Sequence, residues 1–217
     1  MIKTLYCGSS SACFELESTT PYYAPGAYAV LVDGEERLRS QTNVFSLFGL
    51  KPDTDYTVAV RFDSGAEEQT AVHTAAESCC IDVRDFGAKG DGVHEDTGAI
   101  QAAINFLPKG GRLLFPEGTY LTLPLSLKSH MTIELCEGAS LLGSAARERY
   151  PIIPKTVTDP VTGKELLMAS FEGLEQDAYQ SLIQAVNAEE IAIVGKGTVD
   201  GNGQNGGWWK GFKEFPA

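Results

Sequence analysis

Apolar and polar positions follow two different rules along this chain, and the rule changes once. From Ile2 to about Thr74, apolar residues come in short alternating runs separated by turn residues. These runs are Ala12 to Leu16, Ala27 to Val32 closing on Asp33-Gly34, Val44 to Phe48, and Tyr56 to Phe62. Alternation at a period of two marks strands with one buried face, and the spacing predicts a small antiparallel β-sandwich over residues 1–75. The small-residue run Ala75-Ala76-Glu77-Ser78 carries neither period and marks a boundary.

From about residue 80 the pattern is different. After Asp96-Thr97, either of which offers a capping side chain, Ile100, Ala103, Ile104 and Leu107 recur at the spacing of one helical face. Strand-sized pieces follow, each bounded by Gly, Pro or Ser: Arg112 to Phe115, Tyr120 to Leu123, Ser126 to Leu127, Met131 to Leu135, and Ser140 to Leu142. They lie too close together for crossover helices and too irregularly for hairpins. Stacked coils of a right-handed parallel β-helix, roughly 20 to 25 residues each, fit them better, with the helix as a lid over the open first coil. The periodicity lapses between Gly143 and Gln180, a long excursion containing Pro151, Pro154 and Pro160. It resumes in the Ile-x-Ile-x-Gly-x-Gly-x-Val-Asp-Gly-x-Gly run from Ile191 to Gly203. The expected fold class is therefore all-β, with a sandwich over 1–75 and the opening coils of a helix-capped β-helix over 80–217.

Composition narrows the partners. Seventeen basic against twenty-nine acidic side chains give a net charge of −12 with no dense basic stripe, which argues against nucleic acid or an anionic membrane surface. A polyanionic substrate would need a local basic pocket. No stretch approaches the ~20 apolar residues of a membrane span, and the opening Met1-Ile2-Lys3-Thr4-Leu5 is too short for a secretory leader. The location expected from this sequence is cytoplasmic, or secreted or periplasmic if a leader has been removed. Cys7, Cys13, Cys79, Cys80 and Cys136 have no metal-ligand spacing and read as free, mostly buried thiols.

Two resemblances sharpen this picture. Leu50-Lys51-Pro52-Asp53-Thr54-Asp55-Tyr56 before an apolar alternation resembles the turn into a late strand of fibronectin type III modules. That resemblance implies a Tyr56 hydroxyl bonded back to upstream backbone. Asp85-Phe86-Gly87-Ala88-Lys89-Gly90-Asp91-Gly92, with Asp96-Thr97 and Ile100-Gln101-Ala102-Ala103-Ile104, resembles the opening of pectin-lyase-fold proteins. Phe171-Glu172-Gly173, Ser181-Leu182-Ile183, the Ile191 to Gly203 run and Trp208-Trp209 resemble glycoside hydrolase family 28, the polygalacturonases. A fibronectin-like module ahead of such a β-helix resembles the exo-acting bacterial members.

The family resemblance implies inverting hydrolysis of galacturonate-containing pectic polymers, with no metal and no cofactor. One carboxyl protonates the leaving oxygen, and a carboxylate about 6.5 to 9.5 Å away activates water from the opposite face. In the family these groups lie on Asn-Thr-Asp, Asp-Asp, Gly-His-Gly and Arg-Ile-Lys motifs, and none of the four occurs in these 217 residues. No residue is therefore assigned a catalytic role, and the chain alone is expected to be inactive, as a piece ending before those motifs.

The substrate-binding candidates are Phe171 and Glu172 on the excursion and Trp208 and Trp209 after the last coil. The tryptophans either stack on a sugar face or fill a core. Lys155, Lys164 and Lys210 are candidate carboxylate partners, whereas Asp200, in Asp-Gly, reads as a turn residue. Gly87, Gly90 and Gly92 read as turn residues too, because their spacing and the missing Lys-Ser/Thr pair or βαβ context do not make a phosphate cradle. An open last coil would also present apolar interior and unpaired edges, so self-association is expected there. The competing reading is a non-catalytic β-helix of tailspike or adhesin type, structural or carbohydrate-binding.

Overall fold

The structure, a computed structural model, describes residues 1–208 and divides into two compact units, the first Met1–Ser78 and the second beginning at Cys79. The first unit holds seven strands: β1 (Ile2–Cys7), β2 (Ser11–Leu16), β3 (Tyr23–Val32), β4 (Glu35–Thr42), β5 (Val44–Phe48), β6 (Asp55–Phe62) and β7 (Glu67–His73). They form two antiparallel sheets, ordered β1-β2-β5 and β4-β3-β6-β7. The inward residues of both sheets share one core containing Phe14, Phe45, Tyr28, Val30, Val58 and Val60. Phe14 and Phe45 stack in it with ring centroids 5.1 Å apart. The Tyr56 hydroxyl accepts from the Lys51 backbone N–H at 2.8 Å, tying the start of β6 to the turn before it.

The second unit is a stack of coils. Its first elements are β8 (Cys80–Asp82), β9 (Asp91–Glu95) and helix α1 (Thr97–Phe106). The first complete coils follow in β10 (Gly111–Phe115), β11 (Gly118–Thr122), β12 (Leu125–Leu127), β13 (Met131–Leu135) and β14 (Ala139–Gly143). Every ladder between coils is parallel. Gly111 pairs with Met131, twenty residues on, and Thr119 with Ser140. Each of β10 and β13 buries its first, third and fifth residues, so Leu113, Phe115, Met131, Ile133 and Leu135 stack inward. Each such side chain is worth roughly 1.5–3 kcal/mol when fully removed from water. On the outward face, Arg112 reaches Glu134 of the next coil at 2.7 Å.

The helix lies where its apolar face requires. Ile100, Ala103, Ile104 and Leu107 are all but fully buried in the core that also holds Leu113, Phe115 and Leu125. Neither expected side-chain cap forms. Asp96 occupies the N-cap position, but its buried carboxylate instead accepts from the backbone N–H groups of Lys89 and Gly90, at 2.6 and 2.9 Å. The Thr97 hydroxyl oxygen accepts from the Leu123 N–H at 2.8 Å. Both side chains are spent pinning neighbouring loops to the helix start, where unpaired N–H groups would otherwise be buried.

The excursion is not structureless. It is an arm of paired strands: β15 (Ile152–Ile153), β16 (Thr156–Thr158), β17 (Glu165–Leu167), β18 (Ser170–Phe171), β19 (Leu174–Glu175) and β20 (Ala178–Tyr179). At its root β15 pairs with β20, and inside that ladder sit two hairpins, β16-β17 and β18-β19. The coils then resume with β21 (Ile183–Ala185), β22 (Ile191–Gly195) and β23 (Thr198–Asp200), parallel to β12, β13 and β14 respectively. Met131 pairs with Ile191, sixty residues on, so the arm is an insertion into a coil whose register survives it.

The Gly-x-Gly corner of the last coil presses directly on the one before. A Cβ on Gly195, where φ is +111°, would lie 2.0 Å from the Leu135 carbonyl oxygen, and one on Gly197 would lie 2.6 Å from that of Ala139. The buried Asn202 amide donates to the Gly143 carbonyl at 2.9 Å and fastens the next corner. The thiols depart from expectation. All five are free, but none is fully buried and Cys80 is exposed, because it opens β8, an outermost strand of its sheet. No helix among the described residues is long and apolar enough to cross a membrane.

Candidate functional site

The root of the arm gathers a cluster of aromatic and cationic side chains of the second unit. The chain leaves β14 through Ser144, whose N–H is held by the Thr122 carbonyl, and makes a short 3-10 turn over Arg147–Arg149. Tyr150 closes the turn. It is 6% exposed, and its hydroxyl donates to the Ser144 carbonyl at 3.0 Å, so the ring is fixed against the end of β14. Burial raises the Tyr150 pKa, which keeps the hydroxyl a donor. The Trp208 ring stands edge-to-face on Tyr150 at 5.1 Å and on Tyr179 of β20 at 5.4 Å. Over the Tyr179 ring, 4.8 Å from its centroid, lies the Arg147 guanidinium carbon, which is also 5.3 Å from the Trp208 ring.

A cation on two aromatic faces gains from their quadrupoles, by about 2 kcal/mol or more when desolvated. Yet this cluster is under-satisfied. Arg147 Nε and Trp208 Nε1 are the two buried side-chain nitrogens or oxygens without a hydrogen-bond partner among the described residues. An unpaired buried donor costs about 1–3 kcal/mol. Arg147 also has no carboxylate partner among the described residues, in a chain with twelve more acidic than basic groups. Its neighbour Arg149 is different, forking onto both oxygens of Glu95.

On the opposite side of the β15-β20 ladder is a cleft of about 320 Å³, lined by Ile153, Leu166, Met168, Gln184, Val186 and Asn187 among others. Ile152 and Tyr179 face each other in that ladder, so the adjacent Ile153 and Ala178 point the other way, and the cleft and the aromatic cluster lie back to back. Near the cleft, the Asp159 carboxylate collects the Thr162 hydroxyl, the Val161 N–H and the Asn187 amide. The Thr162 hydrogen bond leads the causes that hold its pKa below the ordinary value.

Asp200 and Asp91 of the coil region serve structural ends. Asp200 accepts from the Asn202 N–H at 2.7 Å, as a turn residue does, and Asp91 accepts from the N–H groups of Val93 and His94. The latter bonds hold the Asp91 carboxyl well below the usual carboxylate range. No group of three or more His, Cys, Asp or Glu among the described residues is arranged to hold a metal ion. What the arm root can do chemically is bind a ring and an anion.

Comparisons with known proteins give this geometry a context. The family described as "Rhamnogalacturonase A/epimerase, pectate lyase-like" matches residues 80–158. The exo-poly-alpha-D-galacturonosidase of Dickeya chrysanthemi is 38% identical over 163 residues, which is 71% of this chain and 26% of that protein. The solved family 28 exopolygalacturonase of Yersinia enterocolitica superposes with a TM-score of 0.61 at 27% identity, over 93% of this chain and 40% of that one. This chain is polygalacturonase-like.

Plasmin and fibronectin-binding protein A of Streptococcus pneumoniae is 43% identical over 81 residues, 36% of this chain and 11% of that protein. The polygalacturonase-like chain thus spans about a quarter of the length of the galacturonosidase relative.

The candidates named from sequence are dispersed. Phe171 ends β18, 53% exposed, and Glu172 occupies the tight turn to β19 at φ +50° beside Gly173 at +82°. Both sit on an outer hairpin of the arm, and no ring contact joins Phe171 to Trp208 among the described residues. Trp208 is in the arm-root cluster, where it packs on two tyrosines. Trp209 and Lys210 lie outside the described residues. Lys155 and Lys164 are exposed on the arm. Gly87, Gly90 and Gly92 all have positive φ, in keeping with turns.

Sequence reasoning missed Arg147, Tyr150 and Tyr179. The only local signal was an arginine-rich step, Arg147-Glu148-Arg149-Tyr150-Pro151, shortly after the strand ending at Gly143. Nothing in the sequence linked it to Tyr179.

Proposed function

We propose that this chain serves a glycoside hydrolase acting on galacturonate-containing polysaccharide or oligosaccharide, from the chain end and with inversion. The inverting carboxyl pair lies on motifs that this sequence does not contain. The observation that carries the reading is the likeness to a family 28 exopolygalacturonase over 93% of the chain, which takes in both units. The first unit then reads as a fibronectin type III-like module. The three-plus-four strand arrangement and the Tyr56 hydrogen bond to Lys51 support that reading. The second unit contributes coils and the arm, and so a substrate-facing wall rather than the reacting groups. Its last strands also carry the proposal of self-association. β22 and β23 end their sheets among the described residues, with Ile193 and Val199 close to half exposed.

The test is reducing-end release from polygalacturonate. The 217-residue chain alone should release none, because inversion needs an acid and a base held on opposite faces. A longer protein containing it should release short uronates from chain ends with inverted anomeric configuration. Turnover by the isolated chain near the ~10 per second typical of enzymes would refute the proposal.

The adhesin-type reading is favoured by one observation, the similarity to plasmin and fibronectin-binding protein A of Streptococcus pneumoniae over 81 residues. It predicts that a longer protein containing this chain binds pectic oligosaccharide or another ligand without hydrolysing it.

A further inference from the structure

We propose that Arg147 is the charge-reading residue of a sugar subsite at the arm root, with the guanidinium receiving a uronate carboxylate while the adjoining aromatic rings meet the sugar ring. The proposal rests on the pectic-hydrolase reading above and goes beyond it by naming a residue and the substrate group that it selects.

Three observations converge on Arg147. Its guanidinium is oriented by packing rather than by an acid, lying over Tyr179 and beside Trp208. A guanidinium held against aromatic rings rather than by an acid keeps N–H groups uncommitted to a carboxylate, and a carboxylate pairs with arginine by taking two such N–H groups at once. The cluster also lacks acceptors. Its two orphaned nitrogens, on Arg147 and Trp208, are the only such side-chain atoms among the described residues, and Glu95, the acid paired with the neighbouring Arg149, is already taken. Finally, the platform is anchored. Tyr150 is bonded to Ser144, and the short β15-β20 ladder holds Tyr179, which lowers the ordering cost when a ligand arrives.

A neutral sugar would gain the aromatic contact alone. A uronate would add a charge-assisted pair, roughly twice as strong as a neutral hydrogen bond. The net charge of −12 makes such a cation more telling, because the general field of the protein repels the substrate it would admit.

The experiment is a calorimetric titration of the full 217-residue chain with trigalacturonate and, separately, with neutral galactotriose. It is repeated for Arg147→Gln and Arg147→Lys, with near-ultraviolet dichroism as the check on tertiary packing. The wild-type chain should prefer the charged trimer by about tenfold or more, and the preference should fall with added salt. Arg147→Gln should abolish the preference while leaving galactotriose binding as it was, and Arg147→Lys should keep part of it.

Equal weakening of both trimers by Arg147→Gln, with Arg147→Lys no better, would make the residue a packing element and overturn the proposal. An undiminished preference in Arg147→Gln would overturn it as well. Absence of binding by either trimer to the wild-type chain would overturn the subsite and leave the hydrolase reading standing, since that is decided by reducing-end release from the longer protein.

Discussion

Replacing Gly195 by alanine tests whether the last coil is held by close backbone contact. At φ +111° an L-residue is strained by about 1–3 kcal/mol. The added Cβ would sit 2.0 Å from the oxygen, 2.8 Å from the carbon and 2.9 Å from the nitrogen of Leu135, all backbone atoms that no side-chain rotation can clear. The corner must lift away. Lifting it breaks the 3.0 Å bond from Gly197 N–H to the Leu135 carbonyl, worth about 0.5–1.5 kcal/mol net.

Together these cost the second unit about 2–4 kcal/mol. With a urea dependence of about 2 kcal/mol per molar, the midpoint should fall by roughly 1–2 M. Trp208 packs in the second unit and residues 1–78 contain no tryptophan, so tryptophan fluorescence reports unfolding without contribution from the first unit. Gly201, six residues on in the same motif, supplies the control. A Cβ there meets nothing within 4 Å, and Gly201→Ala should shift stability by less than about 0.5 kcal/mol. Equal midpoints for the two variants would refute the claim that coil contact, rather than turn flexibility in general, dictates the glycines.

Four further outcomes are expected. Ile104→Ala, at a fully buried position of the lid helix, should destabilise the second unit by about 2–5 kcal/mol in the same urea assay. Tyr56→Phe should cost the first unit about 0.5–1.5 kcal/mol, read from its own dichroism transition, by removing the acceptor of the Lys51 N–H.

His73 lies between Asp55 and Asp53, and hydrogen bonding, first to Asp55, raises its pKa. Its contribution is therefore complete below the unfolded value of about 6.5 and is lost as pH rises through the higher folded value. The stability gap between wild type and His73→Gln should accordingly close on going from about pH 5.5 to pH 9, and a gap that widens would reverse the sign of the argument. Sedimentation velocity should show concentration-dependent association of the chain, suppressed by Ile193→Lys with Val199→Lys, since both side chains sit on the outermost strands of their sheets.

Legibility from sequence tracked how local the governing physics was. Strands β5 and β13 are legible to the residue, because alternating burial over five positions is written in Val44 to Phe48 and Met131 to Leu135. The buried face of α1 was readable for the same reason. Its capping was not, since Asp96 turns to Lys89 and Gly90, a choice fixed by the loop folded over it. The arm was read only as a lapse in periodicity. Its ladders are two or three residues long, too short to impose a period, and the hairpin at Glu172-Gly173 has only two paired residues on each strand. The candidate site was the least legible part. Arg147, Tyr179 and Trp208 come from three separated segments, and only the return of the coil to register brings them together.

That return has a consequence for how such proteins diversify. The rungs on either side of the arm, β12 on β21 and β13 on β22, keep their pairing although some forty residues intervene beyond the ordinary coil length. Chain-closure entropy grows only logarithmically, so doubling an insertion anchored at both ends costs about 0.6 kcal/mol. The scaffold is therefore nearly indifferent to what is spliced in at this joint. An arm of another length or sequence could be grafted between Tyr150 and Ser181 with the coils unmoved, and recognition could be rewritten there as a cassette while the barrel of strands stays the same.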